Sequence, residues 1–313
     1  MTEESTNTAT PREFNFDFLG KTRIAVTLTA LVLAVAIGAL AARGLNFGID
    51  FTGGTLVELG YEEAADLAAI RDALSASEFE SASVQLFGSP NDVLVRLPPS
   101  EDAQASTISE RILAVLPGAS MRRIEFVGPQ VGEELTEDGM LAVLYALIGI
   151  LLYVMLRFTF KFSLGAIVAI AHDVVITVGF FALTGMEFNL TVLAAVLAVL
   201  GYSLNDTIVV FDRIRENFRR YRKDSAGIVI NRALNQTLSR TLVTGGTTLV
   251  VVVALYVLGG ELIHGFAAAL IVGVIVGTYS SIYVASAMLL ALGVEKSDLM
   301  PVQREGAPID DRP

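Results

Sequence analysis

The chain of 313 residues is 53% hydrophobic, carries a formal net charge of −11, and contains no cysteine and only two histidines. That composition excludes disulfides, thiolate metal sites and cysteine nucleophiles, and it argues against a multi-histidine metal centre or a general nucleic-acid binder. A mean hydropathy of +0.61 is too high for two ordinary soluble domains and points to a polytopic membrane protein.

Residues 1–23 form a leader that holds Arg12, Lys21 and Arg23. The first apolar run, 24–42, is close to the ~20 residues needed to cross ~30 Å of hydrocarbon. A cleaved signal peptide is the competing reading, because Ala39-Leu40-Ala41 resembles a processing site. The run exceeds the usual ~7–15 apolar residues and the leader is acidic, which favours an uncleaved anchor.

Residues 43–138 are soluble in character, with 17 acidic against 6 basic side chains. They begin with GIDFTGGT (48–55), a glycine-rich stretch that lacks the lysine of a phosphate-binding loop. It reads as a tight turn from the membrane into the first strand. Alternation of β-branched and apolar residues predicts strands at 53–61, 83–88, 91–98 and 120–128, the third following a turn signal at 89–92. Helical stripes predict helices at 62–77 and 105–118. The order β-α-β-β-α-β is that of a ferredoxin-like α+β domain spanning about 53–128. No nucleophile accompanied by an acid–base pair is recognisable there, and an enzyme is not expected.

Five more apolar runs follow, at 139–156, 164–184, 190–211, 241–258 and 266–292. The fold class is therefore a six-helix membrane protein with the α+β domain between its first two helices. Lysine and arginine in short loops mark the cytoplasmic side. Arg157 and Lys161 follow the second run, and the loop 212–240 holds eight cations, whereas 185–189 and 259–265 hold none. Both termini, including a tail at 293–313, are expected inside and 43–138 outside, in the periplasm.

Ionisable groups at membrane depth cost at least ~2.5 kcal/mol, so they line a pathway or meet a partner. Asp173 lies mid-span beside His172; the alternative to a titrating role is simple hydrogen bonding to neighbouring helices. Asp206 lies about six residues, ~9 Å, from the cytoplasmic end of its run. It reads equally well as a buried titratable group or as a helix N-cap with Asn205. Arg240 opens the fifth run at similar depth, and an Asp206–Arg240 pair would offset part of both burial costs and could act as a proton switch. In the sixth run Gly265, Ala269, Gly273, Gly277, Ser281 and Ala285 recur every four residues, a face suited to close helix packing. Thr241, Thr244, Gly245, Gly246, Thr247 and Thr248 give the fifth run a similar surface.

Six motifs in order, GIDFTGGT (48–55), FVGPQVGEEL (126–135), GAIVAIAHDVVIT (165–177), GYSLNDTIVVFDRIREN (201–217), SRTLVTGGTTL (239–249) and GTYSSIYVA (277–285), resemble the SecF family. SecF is the smaller membrane subunit of the bacterial SecDF complex, one half of a resistance–nodulation–division type transporter. The resemblance implies use of the proton-motive force to assist Sec-dependent preprotein translocation. It implies SecD as heterodimer partner, the SecYEG channel, SecA indirectly, YajC, the preproteins and the inner-membrane bilayer, with no cofactor, metal or nucleic acid. Asp206 and Arg240 fall on the family's proton-passage positions, and Asp173 on its HD aspartate. Gly245–Gly246 departs from the family pattern. Two alternatives stay open: a small-molecule or lipid exporter half of the same superfamily, and a scaffold that couples no protons.

Overall fold

The first apolar run folds as helix α1 (Thr22–Arg43) in a computed structural model that describes residues 14–99, 105–295 and 298. Arg12, the rest of the leader to residue 13, and nearly all of the 293–313 tail lie outside the described residues. A two-residue strand β1 (Asn46–Phe47), a single turn α2 (Ile49–Thr52) and strand β2 (Gly54–Gly60) follow. The glycine-rich stretch is the hinge of this passage. Gly53 and Gly54 take φ of 68° and 125°, and a Cβ on Gly54 would stand 2.5 Å from the Leu97 carbonyl oxygen. Only glycine fits both the backbone angle and the space.

The domain continues through α3 (Leu67–Ser75), β3 (Ser83–Phe87), β4 (Ser89–Leu97), α4 (Ala105–Val115) and β5 (Ser120–Val127). The sheet order is β3-β4-β2-β5 with every neighbouring pair antiparallel. α3 starts at Leu67 rather than 62 because Asp66 caps it, its carboxylate accepting from the amides of Ala68 and Ala69 at 2.9 and 3.2 Å. β4 starts at Ser89, inside the expected turn. The reversal is made by Gly88, at φ 76°, so Pro90 and Asn91 lie in the strand. Val57, Leu59, Val93, Val95, Leu74 and Ile112 fill the core between sheet and helices.

Helix α5 (Pro129–Arg157) begins ten residues before the apolar run predicted at 139. Gly128 is extended and Pro129 occupies the first turn, where its missing N–H costs nothing. The carboxylates of Glu133, Glu134, Glu137 and Asp138 hide this start from a hydropathy reading. The start packs on α2: a Cβ on Gly132 would lie 2.8 Å from the Gly53 amide, and Thr136 Oγ1 donates to the Phe51 carbonyl at 3.3 Å.

Helices α6 (Phe160–Thr184), α7 (Leu190–Arg220), α8 (Ala226–Leu258) and α9 (Glu261–Ala291) complete the membrane body. Among the described residues six helices are thus long and apolar enough to cross a membrane. The region 212–240, expected as a loop, is helical except for residues 221–225. Ile214 and Phe218 on α7, and Val229, Ile230, Ala233 and Leu234 on α8, recur at helical spacing and bury one face, leaving the arginines on the other. The α6–α7 connection forms β6 (Glu187–Phe188), which pairs in parallel with β1. There Glu187 makes an ion pair with Arg96 of β4, and Asp50 accepts from the Leu190 amide at 2.9 Å. These contacts tie the sheet domain to the ends of α6 and α7.

Candidate functional site

Helices α6, α7 and α9 approach one another through small residues. A Cβ on Gly265, Gly273 or Gly277 of α9 would meet Val192 at 2.9 Å, Val199 at 2.1 Å and Ser203 at 3.0 Å on α7. Ala269, Ser281 and Ala285, on the same four-residue repeat, are fully buried. This closeness lets short side chains of one helix reach a group on another.

The group they reach is Asp173. Its Oδ2 accepts from Ser203 Oγ of α7 at 2.5 Å and from Ser280 Oγ of α9 at 2.8 Å. Its Oδ1 shares a hydrogen bond of 2.8 Å with Nδ1 of His172. The carboxylate is 1% exposed, so these bonds replace the water it has lost; bonds to a charged acceptor contribute ~1.5–3 kcal/mol each. Three helices therefore converge on one oxygen pair. Nε2 of His172 stays buried without a partner. Its ring lies 6.3 Å from that of Tyr279, whose hydroxyl donates to the Ala25 carbonyl of α1 at 2.9 Å.

Asp206 sits three residues beyond Ser203 on α7, hence on the same side of the helix and ~4.5 Å further along its axis. It lies sixteen residues from Leu190 and fourteen from Arg220, inside one unbroken helix. The N-cap reading of Asn205–Asp206 is thereby overturned: apolar packing of Val210, Phe211, Ile214 and Phe218 carries the helix on past it. Asp206 is 3% exposed, and neither its Oδ2 nor the adjacent Thr207 Oγ1 has a hydrogen-bond partner. Asp173 is satisfied by two neighbouring helices; Asp206 is buried and unsatisfied.

Arg240 does not close this gap. It lies exposed on α8 and forms no ion pair with Asp206, although its charge is the one that acts on that carboxylate. It lines a groove of about 370 Å³ with Asp212, Arg213 and Glu216. The three sequence-predicted residues thus divide into Asp173 and Asp206, both buried and related through Ser203, which bonds the first and lies one turn before the second, and Arg240 at the rim. Ser203 and Ser280 are the residues that sequence reasoning passed over. Their signal was available: Ser203 precedes Asp206 by three positions, and Ser280 stands inside the small-residue repeat, immediately before Ser281. Among the described residues no group of three or more His, Asp or Glu side chains is placed to hold a metal ion.

A family model described as "Protein export membrane protein SecD/SecF, C-terminal" matches residues 108–295, and one for the "SecD/SecF GG Motif" matches residues 38–65. The protein translocase subunit SecF of Vibrio alginolyticus is 51% identical over 96% of this chain and 98% of its own length. The SecF subunit of Pseudomonas aeruginosa is 48% identical over 95% and 97%. The crystal structure of SecDF, a translocon-associated membrane protein from Thermus thermophilus, superposes with a TM-score of 0.82 at 42% identity, covering 89% of this chain. A SecDF structure in a super-membrane-facing form gives 0.66 at the same identity over 90%. The chain spans 39% of each of those SecDF chains.

Proposed function

The chain belongs to the SecF family of protein translocase subunits, and from that premise we propose that it is a non-enzymatic subunit that couples proton flow to preprotein export. It works beside a SecD-type partner that supplies the remaining length of a SecDF assembly, in the bacterial inner membrane, with SecYEG, SecA and YajC as the surrounding machinery. Both termini and the arginine-rich α7–α8 connection face the cytoplasm. The sheet domain, whose strand order supports a ferredoxin-like reading, faces the periplasm.

One observation carries this reading: a carboxylate, Asp206, buried in a membrane helix with an oxygen that nothing bonds. A buried carboxylate serving only as structure is expected to be hydrogen-bonded, as Asp173 is. One left open is suited to taking up and releasing a proton. The groove beside Arg240 supports access from the loop side, and the guanidinium supports a changing electrostatic field as the carboxylate changes charge. Asp173, His172 and the two serines tie α6, α7 and α9 into the body that such a change would move. The unequal superposition on two SecDF structures of equal identity supports a family that adopts more than one arrangement.

The test is preprotein uptake by inverted membrane vesicles holding the complete complex, with and without a proton gradient. Asp206→Asn and Arg240→Met each remove the gradient-dependent part of uptake while membrane insertion and partner association persist. Gradient dependence that survives both substitutions would leave the protein a scaffold.

A further inference from the structure

A group of cations at the ends of α5 and α7 plays no part in the reading above. Arg157 closes α5, and Arg215, Arg219 and Arg220 lie in the last turns of α7. With Asp212 and Glu216 they line a groove of about 440 Å³. Both carboxylates are already engaged. Asp212 accepts from Arg157 Nη2 at 2.8 and 2.9 Å and lies 3.5 Å from Arg215 Nη1, while Glu216 turns to Arg213 at 2.8 Å.

The remaining charge is uncompensated. Arg219 and Arg220 form no ion pair among the described residues; Arg220 only lies over the ring of Tyr221 at 5.6 Å. Arg215 is wedged between the face of Phe158, 5.3 Å away, and the Arg157 carbonyl at 3.3 Å. Its Nε is buried with no acceptor, and the like charges of Arg157 and Arg219 act on it. Crowded guanidiniums with a missing acceptor ask for a compact anion with several oxygens, and guanidinium forks match phosphate best.

The surroundings identify where the phosphate comes from. Next to Arg157 in the chain, Leu156 of α5 and Phe160 of α6 are 90% and 72% exposed, and Leu152, one turn before Leu156, is 52% exposed. The helix end that carries Arg157 therefore also bears exposed apolar side chains. We propose that this groove binds the phosphate of an anionic phospholipid, whose acyl chains lie along α5. A soluble phosphate would use the same guanidiniums and gain nothing from Leu156 or Phe160. Basic pockets between helix ends at head-group level are suited to such lipids.

The experiment uses the full chain in phosphatidylcholine nanodiscs with a minor share of spin-labelled phosphatidylglycerol or spin-labelled phosphatidylcholine. The motionally restricted component should favour phosphatidylglycerol by roughly fivefold. Arg219→Gln/Arg220→Gln, both exposed residues, should bring the preference close to one. Arg122→Gln/Arg123→Gln, the same charge loss on the sheet domain, should leave it intact. The proposal is overturned by an unchanged preference in the first variant or by an equal loss in the second. It is likewise overturned if inorganic phosphate at matched ionic strength abolishes the preference, because the site then takes a soluble anion.

Discussion

Helices α6, α7 and α9 differ from α1, α5 and α8 in what they bury. Of their most apolar stretches 56%, 50% and 33% is buried, against 17%, 11% and 17%. The outer three are no less apolar; they present bulky side chains outward, such as Val250 and Leu258 of α8 at 71% and 82% exposure. The inner three carry glycine, alanine and serine where they touch, and both buried aspartates. Inside a bilayer, lipid solvates a leucine as well as a neighbouring helix does, so apolar burial gives helices little reason to associate. Close backbone approach and interhelical hydrogen bonds supply that reason; the inner set holds the buried carboxylate bonds, while α1 joins it through Gly179 against Ala36 and through the Tyr279 hydroxyl. Chemistry and cohesion thus come from the same small residues.

The largest expected effect separates the two aspartates of that inner set. Asp173→Ala strands the hydroxyl of Ser203 and leaves that of Ser280 only the Gly277 carbonyl at 3.2 Å, an orphaned buried group costing ~1–3 kcal/mol. The thermal midpoint of the purified protein, followed by far-UV circular dichroism, should fall by on the order of 10 °C. Asp206→Asn removes a group whose Oδ2 makes no bond, and its midpoint should stay within a few degrees of wild type. Equal losses would erase the distinction between a bonded and an open carboxylate.

A second comparison sets one glycine from each group of helices side by side. A Cβ on Gly273 of α9 would stand 2.1 Å from Val199, whereas nothing lies within 4 Å of one on Gly246 of α8. Gly273→Ala should destabilise by ~1–3 kcal/mol through overpacking. Gly246→Ala should be neutral or stabilising by up to ~1 kcal/mol, because alanine loses less backbone entropy in a helix. Opposite signs are the expected result; a loss at Gly246 as large as that at Gly273 would mean that α8 is packed more tightly than its exposure indicates.

The sequence made the number of spans legible because hydropathy depends on composition alone, and it made the strand positions legible through alternation. It hid the helical extensions at both ends of the membrane body. Glu133 to Asp138 and Arg213 to Arg220 look like loop by charge, yet Ile214 and Phe218 keep a buried face through the second stretch. Burial of Asp173 could be inferred from its surroundings in the chain, whereas for Asp206 burial and a helix cap read equally well, and only the helix running on past it decides between them. What could not be inferred was which carboxylate is bonded, since Ser203, thirty residues away, and Ser280, 107 residues away, complete Asp173 only after the helices pack. The proposed Asp206–Arg240 pairing rested on equal depth, and depth fixes height along a helix but not the direction in which a long side chain points.

The smallest expected effect lies where the inner helices meet the sheet domain. Glu187, between α6 and α7, is paired with Arg96 and has Asp50 nearby. Burial pushes its carboxyl above the ordinary range; Arg96 pulls it back and Asp50 adds to the rise. A carboxyl raised in the folded state binds its proton more tightly there than in the unfolded chain. Its contribution is therefore complete below about pH 4.3 and is lost as pH rises through the raised value. The stability difference between wild type and Glu187→Gln, followed by thermal midpoint, should shrink or reverse along that rise, by on the order of 1 kcal/mol or less for a pair that water still partly reaches. If wild type instead gains on the glutamine variant as pH rises, the Arg96 ion pair outweighs burial. The polar bonding that organises the inner helices would then extend out to the sheet domain instead of ending at the membrane surface.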